Sequence, residues 1–330
     1  MQLLRLANGV VVQQAVYAAA KLGIADLLND GPKTAKELAN QLRVNESALY
    51  RILRLLSSQG IFQELAQSTF SNSDLSEFLR TGVPGSVRPL FVFRGSEFCF
   101  APFGEILYTI ETGIPAREKL YGMNAFEHFK GNPEMARIFD DAMTNFSQLT
   151  GPSIAGAYDF GRWDSLMDVG GGNGLLLSTI LKAHPSLRGV LADLPHVLDR
   201  ARERGFLGGE LESRTSLESC DMFREVPSGC RAYLMKSVIH DWDDERANDI
   251  LAACRRAVPG NGALLLVELL LPEGNQPSFG KFSDVLMLML TGGKERSIEQ
   301  YRKLLAGAGF HLNQVYPVPG DFCVIESFPA

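Results

Sequence analysis

Past about residue 160 the sequence keeps one pattern, in which short apolar runs alternate with segments of helical periodicity. Ser165–Val169, Arg188–Ala192, Ala232–Met235 and Ala263–Val267 read as strands, and Leu175–Ala183, Asp244–Val258 and Ser297–Ala306 as the helices between them. Strands that are apolar along their whole length need cover on both faces, which crossover helices supply. The pattern therefore predicts an α/β fold with a parallel, doubly wound sheet. Functional side chains are expected at the carboxyl ends of its strands.

Residues 1–95 follow other rules. Val10 to Leu28 is apolar on nearly every face and predicts a helix buried on several sides, ended by Gly31-Pro32. Thr34 and Glu37 have capping-box spacing ahead of a short helix carrying Leu38 and Leu42. Asn45 can cap the next helix, where Leu49, Ile52, Leu53 and Leu56 share a face. Gly60 stops it, and residues 61–65 read as a strand of a hairpin. The result is a winged-helix pattern. Residues 33–64 carry five basic side chains against three acidic ones, a net +2 that is thin for a surface neutralising several phosphates. Packing or dimerisation is the better expectation, since so apolar a helix marks an interface wherever it is left uncovered. Residues 96–155 form a helical segment rich in aromatic rings, and residues 156–330 the α/β domain.

Composition removes other classes. With 45% hydrophobic and 21% charged residues the chain is neither disordered nor fibrous. A net charge of −6 gives no global attraction to nucleic acid or to an anionic membrane. The five cysteines form an odd set without a Cys-x-x-Cys pair, neither a disulfide framework nor a zinc knuckle, and suit a reducing cytoplasm. Arg5, Asn8, Gln13, Gln14, Lys21 and Asp26 interrupt the apolar N-terminal stretch, so no membrane span and no signal peptide is expected.

The first strand of the α/β domain runs into Asp168-Val169-Gly170-Gly171-Gly172-Asn173-Gly174. A dinucleotide fingerprint would need a third glycine at 175 or 177, and both positions are leucine. No phosphate-binding P-loop motif occurs either. What remains is a bare backbone suited to a nucleoside without phosphates. Asp193, at the end of the next strand and 23 residues after Gly170, can accept from both ribose hydroxyls. Together they point to S-adenosylmethionine.

Asp168–Gly174, Asp193–Val197, Cys220–Phe223, Lys236–Asp244 and Gly292–Arg296 resemble, in order, the motifs of class I S-adenosylmethionine-dependent small-molecule O-methyltransferases. The nearest subgroup is the caffeate and hydroxyindole type, with its bacterial polyketide-tailoring members. The resemblance implies a Rossmann-like methyltransferase sheet, a winged-helix N-terminal dimerisation domain and a homodimer. It also implies that Asp168, Gly170, Gly172, Asp193 and Leu194 hold the methionine and ribose parts of the cofactor. Asp221, Met222 and Phe223 would surround the adenine, with Lys236 a further cofactor contact. Cys220 stands where many relatives have glycine.

His240-Asp241-Trp242-Asp243-Asp244-Glu245 is the densest cluster of functional groups. Its later acids suit the start of the following helix, and no second histidine or cysteine lies at ligand spacing, so no metal is expected. His240, just past a strand at the cofactor edge, is the expected general base. A phenol of pKa ~10 would pass its proton to a histidine of pKa ~6.5 uphill by roughly 5 kcal/mol, and such a base would become active near pH ~6–7.5. Glu268 and Glu295 match the family's catalytic glutamates and would orient the imidazole. By the same resemblance Phe139, Met143, Phe146, Asp241, Leu286 and Leu290 would meet a flat aromatic or polyketide substrate. A carboxylate acceptor, a protein with diverted chemistry and a winged-helix ligand sensor are the alternatives.

Overall fold

A computed structural model of the chain describes residues 2–330. It divides into two compact units: residues 2–101 with 132–146, and residues 102–131 with 147–330.

In the first unit the Thr34 capping box forms with Glu37 ahead of helix Ala35–Leu42, and Asn45 caps helix Glu46–Ser58 by accepting from Ala48 N–H. Strands β1 (Lys33–Thr34), β2 (Phe62–Glu64) and β3 (Thr69–Asn72) make the wing, an antiparallel sheet ordered β1-β3-β2. Leu38, Leu53, Leu56, Phe62 and Phe70 are buried at its core. The long helix expected over Val10 to Leu28 is a correction. It is two helices, Gly9–Leu22 and Ile24–Leu27, broken where Gly23 takes the left-handed conformation at φ 68°. A further helix, Gln2–Ala7, precedes them and leaves Leu3, Leu4 and Leu6 exposed.

The second unit holds seven strands: β4 (Ser165–Val169), β5 (Arg188–Asp193), β6 (Thr215–Ser219), β7 (Ala232–Lys236), β8 (Ala263–Leu269), β9 (Phe310–Pro317) and β10 (Phe322–Pro329). Their order is β6-β5-β4-β7-β8-β10-β9. The pairs from β6 through β8 are parallel, as the alternation predicts, whereas β10 lies antiparallel to both β8 and β9. The expectation of a wholly parallel sheet is corrected there: β9 and β10 come without a helix between them, and a short turn can only reverse the chain.

Every residue of β4 and β8 is buried. The register pairs Asp168 with Leu191 and Leu234, and Lys236 with Val267. Asp168, Asp193, Lys236 and Glu268 therefore fall together at the carboxyl edge, where parallel strands of this kind present ligand-binding groups.

Candidate active site

Gly170, Gly172 and Gly174 all have positive φ, at 70°, 59° and 78°, which lets the chain leave β4 and start helix Leu175–Ala183 within a few residues. A Cβ on Gly172 would meet no atom within 4 Å, so open space lies over the loop. The Asp193 carboxylate accepts from Gly172 N–H at 2.9 Å and from Leu194 N–H at 2.7 Å, fixing the loop to the end of β5. Beneath it Asp168 is 1% exposed, and its Oδ2 has no hydrogen-bond partner. Burial, with the Asp193 charge adding to it, raises the Asp168 pKa to about 7, although Lys236 pulls the other way. A buried acceptor without a donor, under a loop with free space above it, suits a ligand that brings positive charge.

Asp221, expected at the adenine, is exposed; it accepts from Phe223 N–H and pairs with Arg224 at 3.3 Å. Met222 is half-buried. Phe223 meets Trp242 edge to face with centroids 4.7 Å apart, and the Arg246 guanidinium lies 4.1 Å over its ring. Lys236 reaches Ser147 Oγ at 3.4 Å, and burial lowers its pKa to about 8 against the opposing pull of Glu268 and Asp168.

After Lys236 the chain turns sharply. Ser237 has φ 53°, an uncommon conformation for a residue with a side chain, and a short 3₁₀ turn, Ile239–Asp241, presents His240. Glu268 sits at the end of β8, fully buried, and its Oε1 accepts from Val238 and Ile239 N–H at 3.2 and 3.0 Å. Its Oε2 lies 3.6 Å from His240 Nδ1. Glu295 Oε1 is closer, 2.8 Å from the same nitrogen. A carboxylate can only accept, so Nδ1 carries the hydrogen and Nε2 is left as the acceptor of the neutral ring. Asp241 Oδ1 is 3.8 Å from Nε2.

Burial opposes charge on His240, but Glu268, Glu295 and Asp241 outweigh it and raise the pKa to about 10. Burial raises the acids in turn, Glu268 to about 7 and Asp241 to about 6, with the imidazolium acting against the shift in both. The carboxylates thus hold the His240 proton more tightly than an unperturbed imidazole would. The raised pKa of His240 lies above the pH ~6–7.5 range expected for this side chain from the sequence.

The sequence reading missed Ser283 and Arg296 as site residues. Ser283, on helix Phe279–Leu290, donates to Glu295 Oε1 at 2.7 Å. Arg296 is fully buried behind the His240 turn. The only sequence signal for it was its place inside a recognised motif. Gly293 packs so tightly there that a Cβ would come 2.1 Å from His240 O.

Leu286 and Leu290 are buried on helix Phe279–Leu290. Phe139, Met143 and Phe146 belong to the first unit and are half-buried there, Phe139 meeting Phe93 edge to face at 5.4 Å. Metal ligands can be sought only in one cluster among the described residues: ligand atoms of His240, Glu268 and Glu295 lie within 4.8 Å of one another.

Residues 108–311 match the sequence profile of an O-methyltransferase domain, and residues 4–82 that of an O-methyltransferase dimerisation domain. The chain belongs to the O-methyltransferase family. It is 39% identical to the phenazine O-methyltransferase PhzM of Lysobacter antibioticus, over 99% of this chain and 95% of that one. It is 34% identical to the 8-amino-8-demethylriboflavin N,N-dimethyltransferase of Streptomyces davaonensis, over 94% and 90%. Among solved structures, the O-methyltransferase NcsB1 from neocarzinostatin biosynthesis, in complex with S-adenosylmethionine and 2-hydroxy-5-methyl naphthoic acid, superposes with a TM-score of 0.86. That match has 31% identity and covers 99% of this chain and 98% of the other.

The protein is therefore an S-adenosylmethionine-dependent O-methyltransferase with a dimerisation domain, and the glycine loop with Asp168 and Asp193 fits its cofactor. No helix among the described residues is long and apolar enough to cross a membrane.

Proposed function

We propose that the protein methylates a hydroxyl group on an aromatic or polyketide acceptor, with His240 Nε2 as general base. The observation that carries this reading is the 2.8 Å contact between His240 Nδ1 and Glu295, backed by Glu268, which leaves Nε2 to take the proton. S-adenosylmethionine supplies the methyl group and leaves as a neutral thioether. A hydroxyl of pKa ~10 is a weak nucleophile until its proton departs. The raised pKa of about 10 makes proton transfer from the hydroxyl to the neutral imidazole less uphill than to an unperturbed histidine. Glu268, Glu295 and Asp241 do this by stabilising the imidazolium. The same acids keep the resting imidazole protonated at neutral pH, so only its neutral fraction can act.

Asp193 is assigned to the ribose and Asp168 to the cationic end of the cofactor's amino-acid part. Leu286, Leu290 and Asp241 are assigned to the acceptor. In the same reading the protein acts as a homodimer through its dimerisation domain, and light scattering that finds an active monomer would contradict that. The N,N-dimethyltransferase among the relatives favours a second reading, an amine acceptor, which has a lone pair before deprotonation. Incubation with S-adenosylmethionine and panels of phenols, aromatic amines and aromatic acids, with mass detection of the added methyl group, separates these readings. Methylation confined to amines or carboxylates would overturn the hydroxyl assignment.

A further inference from the structure

Arg296 is one of the largest fully buried side chains, next in sequence to Glu295 and remote from any solvent that could hydrate its charge. A guanidinium in such a place persists only where its donors are met. Nη1 donates to Ile239 O at 3.1 Å and to Lys294 O at 3.2 Å, Nη2 donates to Trp242 O at 2.9 Å, and Nε donates to Asp244 Oδ1 at 3.0 Å. Two of these acceptors are backbone carbonyls on either side of His240. They belong to a short 3₁₀ turn and its exit, where Ile239 O also accepts from Trp242 N–H at 3.3 Å.

The backbone of Arg296 is tied as firmly as its side chain. Its carbonyl accepts from Leu271 N–H at 3.1 Å, and Arg296 bridges to Leu270, directly beyond β8, which carries Glu268. One residue thus joins three segments: the turn bearing His240, the strand end bearing Glu268 and the loop bearing Glu295.

We propose that Arg296 is a positioning residue that clamps the His240 turn and holds the imidazole Nδ1 against Glu295. The inference rests on His240 being the base. Lysine cannot replace the clamp, because one ammonium cannot reproduce the planar fork that reaches Ile239 O and Trp242 O together. The remainder of the 292–296 loop supports the same geometry: Gly293 lies against the His240–Trp242 backbone, and Lys294 Nζ meets Asp244 at 2.6 Å.

The test compares Arg296→Met and Arg296→Lys in the wild-type and His240→Ala backgrounds, with S-adenosylmethionine affinity measured by calorimetry. In the wild-type background Arg296→Met is expected to lower kcat by about 10- to 100-fold, the usual effect of a small misplacement of a catalytic group. Cofactor affinity should stay within about twofold, and Arg296→Lys should recover only part of the loss. In the His240→Ala background the same substitutions should change kcat by less than about twofold, because their target is gone. Nitrogen-detected NMR of the imidazole should show the hydrogen-bonded Nδ1–H weakened in Arg296→Met. Should that variant fail to fold, Arg296→Lys is read the same way in both backgrounds.

Wild-type kcat in a folded variant, equal losses in both backgrounds, or an unchanged Nδ1–H resonance would each overturn the proposal. A His240→Ala enzyme with normal kcat would overturn the base assignment instead, and the resonance would then test the clamp alone.

Discussion

Ser283 and His240 meet at a single atom, the Oε1 oxygen of Glu295, which accepts from the serine hydroxyl at 2.7 Å and lies 2.8 Å from the imidazole Nδ1. Each donor takes part of the carboxylate's charge, so the serine weakens its hold on the histidine. Ser283→Ala should therefore raise the His240 pKa further and move the rising limb of kcat/KM to higher pH, with lower kcat at neutral pH. Stability should fall by about 1–3 kcal/mol from the lost buried hydrogen bond. A pH–rate profile with thermal unfolding checks both effects, and an unmoved limb would show that the shared oxygen does not tune the base.

His240→Ala should reduce kcat on a phenol ~10²–10⁴-fold while leaving cofactor affinity nearly intact. In the wild-type enzyme kcat/KM should climb with pH as the imidazolium loses its proton and level off only near the raised pKa of about 10. Residual activity of the variant should also rise with pH as hydroxide takes over. Chelators should change neither protein, because an imidazole held by Glu295 needs no cation to take up a proton. A plateau already reached at pH ~7 would count against a histidine whose proton is held by three carboxylates.

The same shift has a signature in stability. The folded pKa of His240 lies above its unfolded value, so its ion pairing stabilises the native state fully below pH ~6.5. That contribution is lost as pH rises through about 10. The gap in Tm between the wild-type protein and His240→Gln should accordingly narrow as pH rises from ~7, where Glu268 and Asp241 are ionised, toward ~10. A gap that is constant across this window would mean that the imidazolium is not held in the folded state.

For the cofactor, Asp193→Ala should weaken S-adenosylmethionine binding by about 1.5–3 kcal/mol, the worth of hydrogen bonds to a charged group. Part of the loss should come from freeing Gly172 and Leu194 N–H from the loop. Burial, with the Asp193 charge, raises the Asp168 pKa to about 7, and the carboxyl must be ionised to pair with a cation. Affinity should therefore improve as pH rises through 7, with proton release in calorimetry, and Asp168→Asn should flatten the dependence. A wild-type affinity that does not change from pH 6 to 8 would refute this role.

Much of this site could be read from sequence because its parts sit at strand ends, where local rules are strong. The run from Asp168 to Gly174, the acid at 193 and the cluster at 240 each announce a turn and a chemistry within a few residues. The β6 strand, Thr215–Ser219, was missed because it is half-exposed and polar and carries no buried run. β9 and β10 lay outside a βαβ pattern. The break at Gly23 was hidden because a glycine inside an apolar stretch reads as helix until the backbone shows its left-handed turn. Arg296 was hidden for another reason: nothing in a polar string such as Lys294-Glu295-Arg296 reveals which side chains fold inward. The raised pKa of His240 was equally out of reach, since it depends on three carboxylates converging from different segments.

The placement of β10 between β8 and β9 has a consequence for how the protein is made. β7 and β8 pair on one side and precede β10 in the chain, so the other edge of β8 has no partner until residues 322–329 are made. A helix, the His240-facing loop, a second helix and β9 are all produced first. Until then Glu268 hangs from an open-edged strand, the kind of surface that pairs with other chains. A nascent chain stalled before residue 322 therefore holds every acid and base of the site and still lacks the strand that closes the sheet around Glu268.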